Sequence, residues 1–94
     1  MDKTIKIGDK AFISKTFSEE DVFRFAGLSL DRNPLHLDEE FGRTSIFGQR
    51  VVHGMLVASL FSGLIGMELP GKGSIYLGQS LSFKNPVAIG EKVT

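Results

Sequence analysis

Two different rhythms of apolar and polar residues run along this chain, and each predicts its own kind of element. From Val22 the spacing is helical, with Val22, Phe25, Ala26 and Ser29 recurring on one face. Ser18 is a good N-cap, Asp21 stands at N3 to approximate a capping box, and Phe17 and Val22 occupy the hydrophobic-staple positions. Glu19 and Glu20 suit the positive end of the helix dipole. A helix is therefore predicted from Ser18 to about residue 28. The second helical stretch is Gly54–Met67, where Met55, Leu56, Val57, Leu60, Phe61, Leu64 and Ile65 cover most of the circumference. A helix apolar nearly all round is expected to be buried on most sides. Its small residues Ala58, Ser59, Ser62, Gly63 and Gly66 allow close approach, and Pro70-Gly71 ends it.

The other rhythm has a period of two. Residues 11–17 read as a strand after a turn at Gly8-Asp9. Residues 74–84 alternate more cleanly, with Ile75, Leu77, Leu81 and Phe83 on one face and Tyr76, Gly78, Ser80, Ser82 and Lys84 on the other, which predicts a strand. Asn85-Pro86 breaks it, Gly90-Glu91 turns, and Lys92-Val93-Thr94 reads as the start of a further strand. Between the helices, residues 29–53 form a long connection interrupted by Asn33-Pro34, Gly42 and Gly48, within which Asp38-Glu39-Glu40-Phe41 can start one short helix. Long connections inside a small domain are often functional. One buried helix with strands before and after it predicts an α+β domain, an antiparallel sheet wrapped around a central helix. The chain stops in a strand with no closing turn, so the expectation is a single domain over residues 1–94 that lacks its C-terminal strands.

Composition narrows the classes. A chain of 94 residues buries only about 60–65% of its unfolded surface, so association with a second copy would help it. Eleven basic residues balance eleven acidic ones, which argues against a sequence-independent nucleic-acid partner. There is no cysteine, hence no disulfide, no thiolate nucleophile and no Cys-based zinc site. The expected location is cytoplasmic. The opening, Met1-Asp2-Lys3-Thr4-Ile5-Lys6, has no apolar signal-peptide core. The longest apolar stretch, Gly54–Met67, is short for a membrane span.

Candidate chemistry sits in the long connection. Asp31 and His36, five residues apart across Asn33-Pro34, can converge on one point and move a proton through a bound water. On spacing alone the plainer reading is the commoner one: Asp31 in an Asx turn and His36 a surface or core-edge histidine. His53-Gly54 starts the apolar helix, where a free N–H can hold an oxyanion; the plain alternative is a permissive glycine with His53 as a cap. Gly66-Met67-Glu68-Leu69-Pro70-Gly71-Lys72-Gly73 nearly matches a phosphate-binding loop, but it ends in Gly where a hydroxyl is required and runs helix to strand, so it reads as a helix end. No metal-ligand spacing stands out, and no Gly-x-Ser-x-Gly elbow surrounds any serine.

Residues Phe25-Ala26-Gly27-Leu28-Ser29-Leu30-Asp31-Arg32-Asn33-Pro34-Leu35-His36 resemble the signature of MaoC-like hydratases. Val52-His53-Gly54 with the helix that follows, and Gly71-Lys72-Gly73 with residues 74–84, are similar to that family's next two blocks, in the same order and spacing. The likeness is strongest to bacterial (R)-specific enoyl-CoA hydratases that link β-oxidation to polyhydroxyalkanoate precursors. The resemblance implies the hot-dog fold and hydration of trans-2-enoyl-CoA to (R)-3-hydroxyacyl-CoA. It implies Asp31 and His36 as the acid/base pair, with Asp31 the preferred base, and the Gly54 N–H as oxyanion donor. Ser62, eight residues after Gly54 and so on roughly the same side of the helix, is expected to line the substrate site, with Ile65 bounding the acyl chain and Asn33 fixing the loop. The resemblance implies no metal and no cofactor beyond the CoA of the substrate, no membrane partner, and a homodimer. Two positions depart from the family pattern: Leu30 stands where many members have Gly, and Gly42 where Ala or Ser is usual. Family members also continue past residue 94 with further strands. The rival readings are a hot-dog acyl-CoA thioesterase and a non-catalytic acyl-CoA-binding or structural subunit. Arg43, Arg50, Lys72 and Lys84 are undistinguished candidates for contacting CoA.

Overall fold

Ser18 turns the chain from extended backbone into the first helix, α1 (Glu19–Ser29). Its hydroxyl accepts the Asp21 N–H at 3.1 Å, and the Asp21 carboxylate accepts the Ser18 N–H at 2.9 Å, so the capping box is complete. Phe17 and Val22 are both fully buried and pack with Val52 as the centre of the core. The helix ends at Ser29, one residue beyond the expected position, and its C-cap Leu30 adopts a left-handed backbone (φ 67°). The computed structural model describes residues 4–94, and residues 1–3 of the polar opening segment lie outside the described residues.

The connection that follows is more ordered than its composition predicts. Two short helices occur where one was expected, α2 (Pro34–Leu37) and α3 (Glu39–Thr44). Asn33-Pro34 starts the first of them instead of interrupting the chain. Proline is pre-shaped for the first helical position, and the Asn33 side chain accepts the Leu35 N–H at 3.0 Å. Asp38 caps the second by accepting the Phe41 N–H at 3.1 Å.

The long helix α4 (Gly54–Met67) has the predicted bounds. Its burial differs from expectation. Leu56, Val57 and Leu60 rest against the Phe17–Val22–Val52 core, but no residue of the helix is fully buried, and Met55 and Phe61 are exposed. The cause lies in the sheet. The described ladder is one antiparallel pair, β1 (Lys15–Thr16) with β2 (Lys92–Val93), in register Lys15 to Val93 and Thr16 to Lys92. Two further links extend it: the Gly90 N–H donates to the Phe17 carbonyl, and the Val52 N–H to the Val87 carbonyl beside a bridge between Val51 and Ala88. Residues 74–84, expected to form a strand, pair with no neighbour among the described residues, and Ile75 and Leu77 stand in solvent. Of residues 11–17, only Lys15 and Thr16 pair. Alternation decides which side chains share a face, whereas a strand also needs a neighbour whose N–H and C=O groups complete the ladder. A sheet that covers so little of α4 leaves its outer side open.

Candidate active site

The left-handed turn at Leu30 delivers Asp31 to the mouth of the α1–α2 loop. The Asp31 carboxylate accepts the Asn33 N–H at 3.2 Å, which is an Asx turn. The Asx-turn reading of Asp31 is thus observed, and it does not exclude the functional one, because the turn engages only one of the two carboxylate oxygens. Asn33 is tied on both sides, donating to Asp31 and accepting from Leu35, and so shapes the loop. His36 follows on α2 with its ring Nδ1 at 2.7 Å from the Val51 carbonyl. A carbonyl only accepts, so Nδ1 carries the proton and Nε2 keeps its lone pair. His53, just before α4, sets its Nε2 2.9 Å from the Asp31 carbonyl, and by the same logic Nε2 is the protonated nitrogen. The His36 and His53 rings stack, centroids 3.9 Å apart and planes 26° from parallel. Phe25 of α1 meets His53 edge-on at 4.9 Å.

These contacts bring a carboxylate oxygen of Asp31 and one ring nitrogen each of His36 and His53 within 4.8 Å of one another. The group has the composition of a metal site, but its geometry does not suit one ion. An imidazole lone pair lies in the ring plane, and an ion must sit about 2.0–2.1 Å from the nitrogen in that plane. Rings stacked face to face direct their lone pairs along planes that do not meet within such a distance. The separation does suit a water molecule held between Asp31 and His36, each within hydrogen-bonding reach of its oxygen.

A cavity of about 390 Å³ opens beside the pair, lined by His36 and Gly54 together with Phe47, Val57, Phe83 and Val87 among others. Gly54 opens α4, where N–H groups have no partner within the helix. A Cβ added there would lie 2.9 Å from the Phe83 ring, so the close approach of that ring requires glycine. His53 stands at the N-cap position but makes no side-chain cap. Ser62 and Ile65, placed near the site by the sequence, line other grooves: Ser62 with Phe25 and Tyr76, Ile65 with Phe61 and Ile75. Lys84 borders the cavity of His36 and Gly54.

Two residues to which the sequence suggested other roles, a helix cap and a CoA contact, hold this arrangement. His53 is one. The other is Arg50, buried, whose Nε donates to the His36 carbonyl at 3.0 Å and whose Nη1 donates to Glu19 at 2.8 Å and Glu39 at 3.4 Å. Its guanidinium also lies 5.6 Å from the Phe23 ring. Arg50 thus fastens the His36 backbone to α1 and α3. The available signal was the adjoining Val51-Val52, an apolar pair that draws its polar neighbours inward.

The chain has relatives among known proteins. The model of the MaoC like domain matches residues 3–94. The chain is 60% identical over 92 residues to the (R)-specific enoyl-CoA hydratase of Aeromonas caviae, covering 98% of this chain and 69% of that protein. It is 51% identical to the (R)-specific enoyl-CoA hydratase of Rhodospirillum rubrum, covering 96% of this chain and 62% of the relative. Among solved structures, the A. caviae (R)-hydratase involved in PHA biosynthesis superimposes with a TM-score of 0.93 at 58% identity, over 97% of this chain and 69% of that one. The unliganded R-hydratase PhaJ1 of Pseudomonas aeruginosa gives 0.89 at 44% identity, over 94% and 57%. These likenesses carry the hot-dog architecture that the sequence resemblance implied.

Proposed function

The chain belongs to the MaoC-like domain family, and on that premise we propose that it is an (R)-specific enoyl-CoA hydratase, adding water reversibly to trans-2-enoyl-CoA to give (R)-3-hydroxyacyl-CoA. The observation that carries this reading is the convergence of the Asp31 carboxylate and the His36 ring beside a cavity that also contains the first residue of α4.

Hydration needs a water deprotonated as it attacks C3, a proton delivered to C2, and stabilisation of the thioester oxygen as negative charge develops there. Asp31 and the Nε2 of His36 are both acceptors, so one water can donate a hydrogen to each and turn a lone pair toward C3. The proton taken from the water is held by the pair, which then returns it to C2. The Gly54 N–H receives the thioester oxygen, and a donor of this kind contributes about 3–4 kcal/mol to the transition state. None of these steps calls on a metal or a redox group; CoA arrives with the substrate. Asn33 keeps the loop in shape in this reading, whereas Ser62 and Ile65, which line other grooves, stand apart from the cavity of His36 and Gly54. The product places the enzyme between β-oxidation and polyhydroxyalkanoate precursors; the reading also takes it to be a cytoplasmic homodimer. No helix among the described residues is long and apolar enough to cross a membrane.

The test is the loss of enoyl-thioester absorbance with crotonyl-CoA, with free thiol measured in parallel. Asp31→Asn and His36→Ala each lower kcat by about 10²–10⁴-fold, as loss of a general acid/base does. Release of free thiol in place of 3-hydroxyacyl-CoA favours the thioesterase. A folded protein that does neither sinks the hydratase reading.

A further inference from the structure

His53 is 1% exposed and does not line the cavity that His36 and Gly54 share. It nevertheless touches every part of the site. Its Nε2–H holds the Asp31 carbonyl, its ring face lies on His36, and its own carbonyl carbon is bonded to the Gly54 nitrogen. Phe25 packs against the same ring, centroids 4.9 Å apart and planes at 67°. The Nδ1 of His53 is buried with no hydrogen-bond partner. Such an orphan disfavours the folded state, and an aromatic hydrocarbon in the same place would avoid it. A phenyl ring, however, could not hold the Asp31 main chain.

We infer that His53 is the positioning residue of this site, fixing the Asp31 backbone by a hydrogen bond and the plane of the His36 ring by stacking. The inference rests on the hydratase reading for its kinetic consequence and on geometry alone for its structural one. Because His53 does not reach the cavity, its loss acts on the spacing of the reacting groups and not on substrate binding.

Two substitutions in the full chain separate the two contacts. His53→Gln keeps an amide N–H for the Asp31 carbonyl and removes the ring. His53→Phe keeps a ring against His36 and removes the donor. Each is expected to lower kcat for crotonyl-CoA about 10–100-fold, the scale of misplacing reacting groups by an ångström or less, with KM within about two-fold of the wild type. The ring C–H proton signals of His36 should move in His53→Gln, where the ring current of its neighbour is gone, and hold nearer their place in His53→Phe. Unchanged kcat in both variants, or a loss that appears in KM alone, overturns the inference. A wild-type chain without hydration removes the hydratase reading instead. The His36 signals then decide the positioning by themselves, and their indifference to His53→Gln overturns it.

Discussion

The segments around Asp31 and His36 and the segment from residue 74 to residue 84 are built on opposite terms. Around the site, Phe17, Val22, Ala26, Val51, Val52, Arg50 and His53 are all buried, and nearly every backbone turn is closed by a named side chain. In the later segment Ile75, Leu77 and Phe83 keep more than half of their surface in solvent, and no ladder forms. Both stretches carry ample apolar residues. The difference shows that hydrophobic content does not order a segment by itself. The first stretch supplies its own hydrogen-bond partners within a few residues, while the second needs a neighbouring strand to satisfy its backbone.

Substitutions at the ordered end should therefore cost more than those at the open end. The largest effect on stability is expected at Gly42, where a Cβ would lie 2.6 Å from the Arg50 nitrogen and 2.8 Å from its Cα. Gly42→Ala must displace backbone and should cost about 1–3 kcal/mol, as overpacking does. A thermal melt checks it, since each kcal/mol lowers Tm by about 4–8 °C in a domain of this size. Arg50 also holds the His36 carbonyl, so kcat should fall with stability. An unchanged Tm would mean that this close approach is not a constraint.

Leu30→Gly acts in the opposite direction. A left-handed backbone costs a residue with a Cβ about 1–2 kcal/mol, and glycine gives back roughly 0.5–1 in lost chain entropy. Leu30 is 72% exposed, so little packing is lost. The variant should gain up to about 1.5 kcal/mol by these figures, read as a higher urea midpoint at unchanged slope. A lower midpoint would mean that the leucine side chain contributes more than its exposure indicates.

Asp21 offers a smaller effect with a pH signature. The Ser18 N–H holds its carboxyl below the usual 3.8, with Lys15 adding to the shift and partial desolvation opposing it. The folded-state value is the lower one, so the contribution is complete above 3.8 and disappears as pH falls through the folded value. Wild type should exceed Asp21→Asn in stability at neutral pH, and the two should converge under acid. A gap that persists in acid refutes the assignment. The smallest effect belongs to the open segment. Leu77 is 96% exposed, and Leu77→Thr should change stability by less than about 0.5 kcal/mol. A larger loss by thermal melt would show that this segment is covered in solution and would erase the contrast between the two regions.

The sequence made local features legible and missed those that arise from burial. The Ser18 cap, the Phe17–Val22 staple and the bounds of α4 follow from residues a few positions apart, and they are observed. The convergence of Asp31 with His36 was also readable, because one tight loop joins them. His53 and Arg50 were not, since their roles depend on stacking and hydrogen bonds across the fold that no spacing announces. The departures at Leu30 and Gly42 were visible in the sequence as departures from a pattern and no more. The structure gives them meaning: Leu30 occupies a left-handed position that favours glycine, and Gly42 lies against Arg50 with no room for a side chain. Residues 74–84 show the reverse failure, because a clear alternation named the faces of a strand and could not name its neighbour.

The side-chain caps at Ser18, Asn33 and Asp38 each close over two or three residues, and that spacing has a kinetic consequence. Contacts this short need almost no loop closure, so the turns through the Asp31–His36 region can form early and often in the unfolded chain. Arg50 and His53 close loops of 31 and 22 residues to Glu19 and Asp31, and they come later. The site loop is thus sketched by fast local events and made rigid only when the Arg50–His53 segment docks. Mutations at the caps should act mainly on the rate of folding, and mutations at the two buried residues mainly on the rate of unfolding.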